Sequence, residues 1–220
     1  MDYQLPYKTN RVILQKTTRA SVVRAIIKIN IVVFILWYLI GFTWPDFMFK
    51  NFLVSWDALA EGRVWTLLFS VFSHNLLWHL FINMYVFFGF GSVLENLLGR
   101  SRFLRFYLVT GIISSFSHAF VSAWILHQPD LPALGASGAI SAVVILFALL
   151  FPKEKIYILG IIPIPALSGV LVLVALDLWG LISQVQGHAL PIGYGAHLGG
   201  VASGTLYYFV RFKYRKNSAS

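Results

Sequence analysis

Long apolar runs separated by short polar or proline-containing segments dominate this sequence. A hydrocarbon core about 30 Å thick is crossed by roughly 20 apolar residues in a helix. The pattern therefore predicts six membrane-spanning helices, the fifth of them kinked where Pro163 and Pro165 interrupt it. The predicted spans cover approximately residues 25–42, 76–94, 103–126, 135–151, 156–181 and 194–210.

The connection between the first two spans, residues 43–73, is rich in aromatic side chains but is interrupted by charges such as Asp46 and Arg63. It is too polar to cross a membrane and too aromatic to be a fully solvated loop. Apolar and aromatic side chains mixed with charges are typical of segments that lie in the membrane interface. We therefore expect this connection to be partly embedded.

The composition indicates an integral membrane protein with one structural domain. Of 220 residues, 58% are hydrophobic and 11% are charged, whereas a soluble domain has about a quarter charged residues. We predict an all-α six-helix core over residues 25–212, between basic tails at 1–24 and 213–220. The sequence has no cysteine, which excludes disulfides, thiol catalysis and zinc–thiolate sites.

The net charge of +9 is explained by membrane topology. Six spans put both termini on one side, and if that side is the inside, 15 of the 17 lysines and arginines lie inside. This is the positive-inside bias of membrane proteins, and it adds attraction to anionic lipid. We therefore expect a lipid bilayer and no nucleic acid as partner. The short tails, without an organelle-targeting segment, favour a bacterial inner membrane with both termini cytoplasmic.

The same topology brings unusual polar residues to one depth, at the outer starts of three spans. The second span carries His79 and Asn83 there, the fourth Ser137 and the sixth His197. Polar side chains within spans usually face the bundle interior or a cavity. Small residues four apart let helix backbones approach closely, so we expect spans four and six to pack and bring Ser137 within reach of His197. The small pairs are Gly138 with Ala142 and Gly200 with Gly204.

A serine beside a histidine at this depth indicates nucleophilic catalysis. The serine alcohol is a weak nucleophile until a base removes its proton, and the oxyanion formed by attack on a carbonyl needs fixed donors. Asn83, His79 and the backbone amide of Ser137 can supply them. The alternative to a catalytic role is that Ser137 is a packing residue and that the histidines and Asn83 form hydrogen bonds between helices. A metal site of His74, His79 and His197 lacks a carboxylate or thiolate at usable spacing, so we expect neither metal nor cofactor.

Three other polar residues are interpreted as structural. His74 is expected at the aqueous edge. Glu95 is expected to cap a helix or to pair with the arginine cluster at 100–105. Asp177 invites assignment as a third catalytic residue, but we reject this because its position near the outer end of the fifth span favours a snorkelling or capping role.

Three short patterns occur in order on the second, fourth and sixth spans. They are His79-x-x-x-Asn83, Gly135-x-Ser137-Gly138 and Ala196-His197-x-x-Gly200-x-x-x-Gly204. Together they resemble the rhomboid family of intramembrane serine proteases, in its bacterial six-span type, over roughly residues 25–212. The resemblance implies a dyad of Ser137 and His197 without an acid. It also implies an oxyanion site made by Asn83, His79 and the backbone amide of Ser137.

The resemblance further implies that the substrates are single-span or other membrane proteins, cleaved near their outer end. It implies that 43–73 is the family's first loop, that 183–193 caps the site and that the fifth span is a lateral gate. Two positions depart from the family pattern. Thr66 follows Trp65 where the first loop usually has arginine, and Ser141 stands where some members have a tyrosine under the histidine ring.

The sequence thus predicts an intramembrane serine endopeptidase. A catalytically silent rhomboid-like protein that binds client helices is the alternative from a different functional class. A small transporter is a third reading, and it predicts an inverted repeat or interrupted helices in corresponding halves of the chain.

Overall fold

The computed structural model describes residues 21–158, 161–188, 190 and 192–213. The predicted tails at 1–24 and 213–220 lie almost entirely outside these residues. The helices are α1 (Val22–Leu39), α2 (Pro45–Phe52), α3 (Trp56–Ala60), α4 (Thr66–Phe69), α5 (Leu77–Leu98), α6 (Arg100–Trp124), α7 (Ser137–Leu150), α8 (Ala166–Val185) and α9 (Tyr194–Tyr208). The remaining elements are a 3-10 turn at Ser70–Phe72, strands β1 (Lys155–Ile158) and β2 (Ile162–Pro165), and a π turn at Phe209–Lys213.

Among the described helices, four are long and apolar enough to cross a membrane: α1, α5, α6 and α8. They correspond to the predicted spans one, two, three and five. The other two predicted spans are shorter, since α7 has 14 residues and α9 has 15. At about 1.5 Å per residue, neither reaches across a core of about 30 Å by itself.

Helix α7 occupies the centre of the bundle. Ten of its 14 residues are buried, and it packs against α5, α6, α8 and α9. A helix that is apolar all round is the kind that such a central position requires. The serine at its first residue is therefore held by a helix that has neighbours on every side.

Helices α7 and α9 pack backbone to backbone through small residues. A Cβ atom added at Gly200 would overlap the carbonyl oxygen of Gly138, and one added at Gly204 would lie 2.6 Å from the carbonyl oxygen of Ala142. Only residues without a side chain allow helices this close. The predicted packing of spans four and six is confirmed.

The remaining core lies towards the other end of the bundle, between α1, α5, α6 and α7. Phe87, Phe103 and Tyr107 are fully buried there. The ring of Phe87 lies 4.9 Å from that of Tyr107 and 6.1 Å from that of Phe103, centre to centre. Aromatic rings at such distances add stabilisation beyond their buried area.

The predicted kink of the fifth span is wrong. Residues 155–158 and 162–165 pair as an antiparallel hairpin in which Tyr157 lies opposite Pro163 and Lys155 opposite Pro165. Prolines are tolerated in a two-stranded ribbon because their missing N–H groups can face away from the partner strand. Helix α8 therefore begins after the prolines, at Ala166, and continues to Val185 rather than ending near residue 181.

The connection 43–73 folds into three short helices and a 3-10 turn. It is joined to the segment before α7 by two hydrogen bonds between the backbones of Val54 and Ala133, of 2.8 and 3.0 Å. Aromatic side chains such as Phe47, Phe49 and Trp65 remain exposed. This mixture of internal structure and exposed aromatic rings fits the interfacial segment expected from the sequence.

Glu95 caps helix α1, which is one of the two roles expected for it from the sequence. Its carboxylate accepts hydrogen bonds from the Ser21 hydroxyl at 2.7 Å and from the backbone N–H groups of Val22 and Val23 at 2.7 and 3.0 Å. These N–H groups have no partner within the helix, and a negative charge is favourable at a helix N-terminus. The cap ties the beginning of α1 to the end of α5.

Candidate active site

Ser137 is the first residue of α7, and the two residues before it are fixed by the connection and by α5. The backbone N–H of Gly135 donates to the carbonyl of Ser70 at 2.9 Å, and that of Ala136 donates to Nε2 of His74 at 3.4 Å. Gly135 has φ of +127°, and a Cβ atom there would lie 2.8 Å from the ring of His79. Glycine is therefore required at 135 both by its backbone conformation and by the histidine beside it.

His197 lies in the first turn of α9 and faces the serine. Its Nε2 is 2.9 Å from the Ser137 hydroxyl oxygen, across 60 positions of sequence. The start of α9 is held against α6, where the hydroxyl of Ser117 donates to the carbonyl of Gly195 at 2.8 Å. The two residues that the sequence analysis paired are thus brought into hydrogen-bonding distance.

Asp177 also contacts this histidine, and the role expected for it from the sequence did not include this contact. Its Oδ1 lies 2.9 Å from Nδ1 of His197, and the two side chains are 17% and 20% exposed. The expected position of Asp177 near the end of its span is wrong for a geometric reason. Because α8 continues to Val185, Asp177 lies eight residues, or about 12 Å, inside the helix end and not at its rim.

The contact with Asp177 determines which nitrogen of the imidazole carries a proton. An ionised carboxylate only accepts hydrogen bonds, so Nδ1–H donates to Asp177. In the neutral ring, Nε2 is then free to accept the proton of the Ser137 hydroxyl. This is the tautomer that a general base for the serine must have.

Asn83 and His79, the predicted oxyanion donors, lie on the adjacent face of α5. The Asn83 side chain lines the same cavity as Ser137 and His197, and its amide donates to the carbonyl of His79 at 2.9 Å. The His79 ring lies against Gly135. Both are therefore near the serine, and the Asn83 amide is engaged within its own helix.

His74 is fully buried, so its expected place at the aqueous edge is wrong. It lies outside the spans, and burial, with a smaller contribution from His79, lowers its pKa from 6.5 to about 3. Desolvation disfavours the charged imidazolium. The ring therefore stays neutral and keeps its acceptor Nε2 on the N–H of Ala136, next to the serine.

A cavity of about 300 Å³ opens beside these residues, between α5, α7, α8 and α9. Its lining includes Asn83 and the three side chains that contact one another, Ser137, His197 and Asp177. Its other lining residues are mostly apolar: Ile82, Val86, Ile140, Ser141, Val144, Val170, Leu173, Val174, Leu176 and Val201. The space suits an apolar chain segment whose backbone reaches the serine.

Residues 61–214 match the model of the Rhomboid domain. The chain belongs to the rhomboid family. Members of this family are generally intramembrane proteases. The resemblance found in the sequence is thus confirmed at the level of the family.

Curated rhomboid relatives come from plants, fungi and animals. The chain is 30% identical over 201 residues to RHOMBOID-like protein 12, mitochondrial, of Arabidopsis thaliana, with 86% of this chain and 58% of that protein covered. It is 36% identical over 199 residues to Rhomboid protein 1, mitochondrial, of Saccharomyces cerevisiae (87% and 54%). It is 31% identical over 187 residues to the human Presenilin-associated rhomboid-like protein, mitochondrial (84% and 47%). The chain spans about half the length of the curated relatives it matches.

These relatives overturn two expectations. The likeness to a bacterial type of rhomboid is not supported, because the relatives are eukaryotic proteins named as mitochondrial. The expected location in a bacterial inner membrane is contradicted by the same names.

The two departures from the rhomboid pattern have structural consequences. The Ser141 hydroxyl donates to the carbonyl of Ser137 at 2.9 Å, so it serves its own helix and leaves the histidine ring to Asp177. Thr66 is buried and donates to the carbonyl of Arg63 at 2.7 Å, and the Arg63 guanidinium donates to the carbonyl of Lys50 at 3.0 Å. The arginine two positions before Trp65 thus holds the connection together.

Proposed function

We propose that this rhomboid-family protein is an intramembrane serine endopeptidase that cuts membrane-spanning segments of other proteins near one end. The observation that carries the proposal is the 2.9 Å contact between the Ser137 hydroxyl and Nε2 of His197. It is supported by the cavity of about 300 Å³ that opens on both residues. A serine and a base in hydrogen-bonding distance beside a space for substrate are the requirements of nucleophilic catalysis.

In the first step, His197 accepts the hydroxyl proton while the Ser137 oxygen attacks a peptide carbonyl. The oxyanion receives hydrogen bonds from the backbone N–H of Ser137, from the His79 ring and from the Asn83 amide. For this the Asn83 side chain exchanges its bond to the His79 carbonyl, 2.9 Å long in the free protein, for one to the substrate. Such donors shorten their contacts only when substrate is bound.

In the second step, the protonated His197 gives its proton to the leaving amine, and an acyl group remains on Ser137. A water molecule, deprotonated by the same histidine, then hydrolyses this ester and restores the free serine. The base must be neutral at the start of each half-reaction. Activity should therefore fall in mild acid.

The short central helix explains how water and substrate meet within the bilayer. With 14 residues, α7 is about 21 Å long, some 9 Å less than a core about 30 Å thick. If its far end reaches one membrane surface, Ser137 lies below the other. We propose that α7 and α9 complete a six-span bundle, with the connection 43–73 and the turn that follows α8, at 186–188, over the recessed site.

The names of the relatives favour a mitochondrial membrane as the compartment. We infer this location because the plant, yeast and human relatives are each named mitochondrial. Subcellular fractionation of the tagged chain in its own cells tests it. Recovery with any membrane other than the mitochondrial ones would reject the inference.

The test of the activity is cleavage of a single-span substrate by the purified chain in detergent. We expect the parent to cut the substrate and the variants Ser137→Ala and His197→Ala to have no detectable activity. The matched controls are Ser92→Ala, at a partly exposed position of α5, and His127→Asn, at an exposed position after α6, and both should leave cleavage unchanged. Cleavage by Ser137→Ala at the parent rate would show that another nucleophile acts. A parent that binds the substrate helix without cutting it would support the client-binding alternative.

A further inference from the structure

Helix α8 carries a carboxylate, Asp177, that the proposed two-residue mechanism does not use. We propose that Asp177 is a positioning residue for His197. The site is then a serine–histidine–aspartate triad. The inference rests on the proposed function. One imidazole joins both groups, with Nδ1 at 2.9 Å from Asp177 and Nε2 at 2.9 Å from Ser137.

Among the residues that the structure describes, the Asp177 carboxylate has no ionic partner other than His197. Within the described part of the chain, His197 is the basic group that lies within 4.0 Å of Asp177. The side chain is 17% exposed and lines the apolar cavity. A carboxylate inside a membrane bundle is costly and is retained where it is paired and used. Its pairing with the histidine is therefore its role in the structure.

The ring of His197 has little else to fix its orientation. The Ser141 hydroxyl, at the position of the tyrosine of some family members, donates to the Ser137 carbonyl instead. Among the described residues, no aromatic ring stacks on His197. A hydrogen bond at Nδ1 fixes both the rotation of the imidazole and its tautomer, and it stabilises the imidazolium that forms during the reaction.

The position of Asp177 depends on how α8 packs against the neighbouring helices. The buried residues of α8 are Ala166, Gly169 and Val170, all near its start. Further along, the ring of Tyr194 packs directly on the backbone of Gly180, where a Cβ atom would overlap it. This contact sets the distance between α8 and α9 one turn beyond Asp177. The distance between Asp177 and His197 therefore depends on the packing of α8 against α9.

Three ionisable groups face His197 from the helices packed around it: Asp177 on α8, His79 on α5 and His118 on α6. Asp177 alone among them carries a negative charge. Replacing it with asparagine removes the group that stabilises the imidazolium and leaves the two histidines in place. The acid limb of the pH–activity profile should then move to lower pH, while the maximal rate falls.

The experiment compares the parent with Asp177→Asn, Asp177→Glu and the control Asp130→Asn, an exposed aspartate in the loop before α7. We measure kcat, KM and the pH profile in detergent. We expect Asp177→Asn to lower kcat about 10- to 150-fold, the range for a hydrogen bond to a charged group, with little change in KM. Asp177→Glu should recover part of the loss, and Asp130→Asn should behave as the parent.

Two results would overturn the inference. One is an Asp177→Asn variant with the parent kcat and acid limb. The other is equal loss in the asparagine and glutamate variants with an unmoved acid limb, which would mean that Asp177 only fills space. If instead Ser137→Ala cleaves as fast as the parent, it is the proposed function that fails.

A further test uses only the parent protein, so its result does not depend on whether a variant folds. Nitrogen-15 and proton NMR of the labelled histidines should show that neutral His197 carries its proton on Nδ1 and that this proton resonates at low field. Protonation at Nε2 in the neutral ring would contradict the inference directly.

Discussion

Replacing Gly138 with alanine should separate the nucleophile from its base without touching either side chain. Gly138 follows Ser137 on α7 and faces α6 and α9. A Cβ atom added there would lie 2.6 Å from Cβ of Ser114 and 3.1 Å from the carbonyl oxygen of Ala196, the residue before His197. The new methyl group therefore pushes on both sides of the candidate site at once.

The size of the displacement follows from these distances. Ordinary contact of a Cβ atom begins at 3.4 Å, so the start of α7 must move by about 0.8 Å from Ser114. The Ser114 Cβ is fixed to its helix backbone and cannot rotate away. Overpacking of this kind costs about 1–3 kcal/mol of stability. A misplacement of about 1 Å in a catalytic group lowers the rate by about 100-fold.

The assay measures kcat with the single-span substrate and the melting temperature in detergent. Gly89→Ala is the matched control, because nothing lies within 4 Å of a Cβ atom at this exposed position of α5. It should keep full activity and gain about 0.5–1 kcal/mol of stability. Gly200→Ala should be worse than Gly138→Ala, since its Cβ atom would overlap a backbone oxygen. Equal kcat and melting temperature in Gly138→Ala and Gly89→Ala would refute this reasoning.

Two other predictions concern the neighbours of Ser137. Asn83→Ala should lower kcat about 100- to 1,000-fold, the effect of removing one oxyanion donor, and an unchanged kcat would remove Asn83 from the oxyanion site. The folded-state pKa of His74, about 3, lies below its ordinary value. The unfolded chain therefore binds the proton first, so stability is full above about pH 6.5 and falls by up to about 1.4 kcal/mol per unit as the pH drops towards 3. Melting between pH 7 and 4 should show a smaller acid loss in His74→Asn than in the parent, and equal slopes would contradict the prediction.

Much of the bundle could be predicted from residue patterns, and so could four of the six residues described at the candidate site: Ser137, His197, Asn83 and His79. The long helices follow from apolar run length, and the distribution of lysine and arginine predicts a direction for each span. Direction puts Ser137 and His197 at one depth, and the small residues at 138, 142, 200 and 204 bring their helices together. These are local or periodic signals, and they are strong in a chain with few charges.

The missed features depend on contacts that no local pattern carries. The contact of Asp177 with His197 was missed because the polar residues Ser183 and Gln184 looked like a loop, whereas α8 includes them and so places the aspartate further from the helix end. The general rule that an intramembrane carboxylate marks a functional site would have found it. His74 is buried where its Nε2 accepts a hydrogen bond from the N–H of Ala136, which is 62 residues away in the sequence. The hairpin at 155–165 resembled a proline-kinked helix because isoleucines flank its prolines.

The most direct test of the central claim is covalent labelling of the folded parent with a fluorophosphonate, followed by peptide mass spectrometry. We expect one adduct, on Ser137, because only a serine whose proton is removed by a neighbouring base reacts readily. His197→Ala and heat-unfolded parent should remain unlabelled, while Ser92→Ala should be labelled as the parent is. A folded parent without an adduct on Ser137, or labelling of Ser137 at the same rate in His197→Ala, would contradict the claim that these two residues form a catalytic pair.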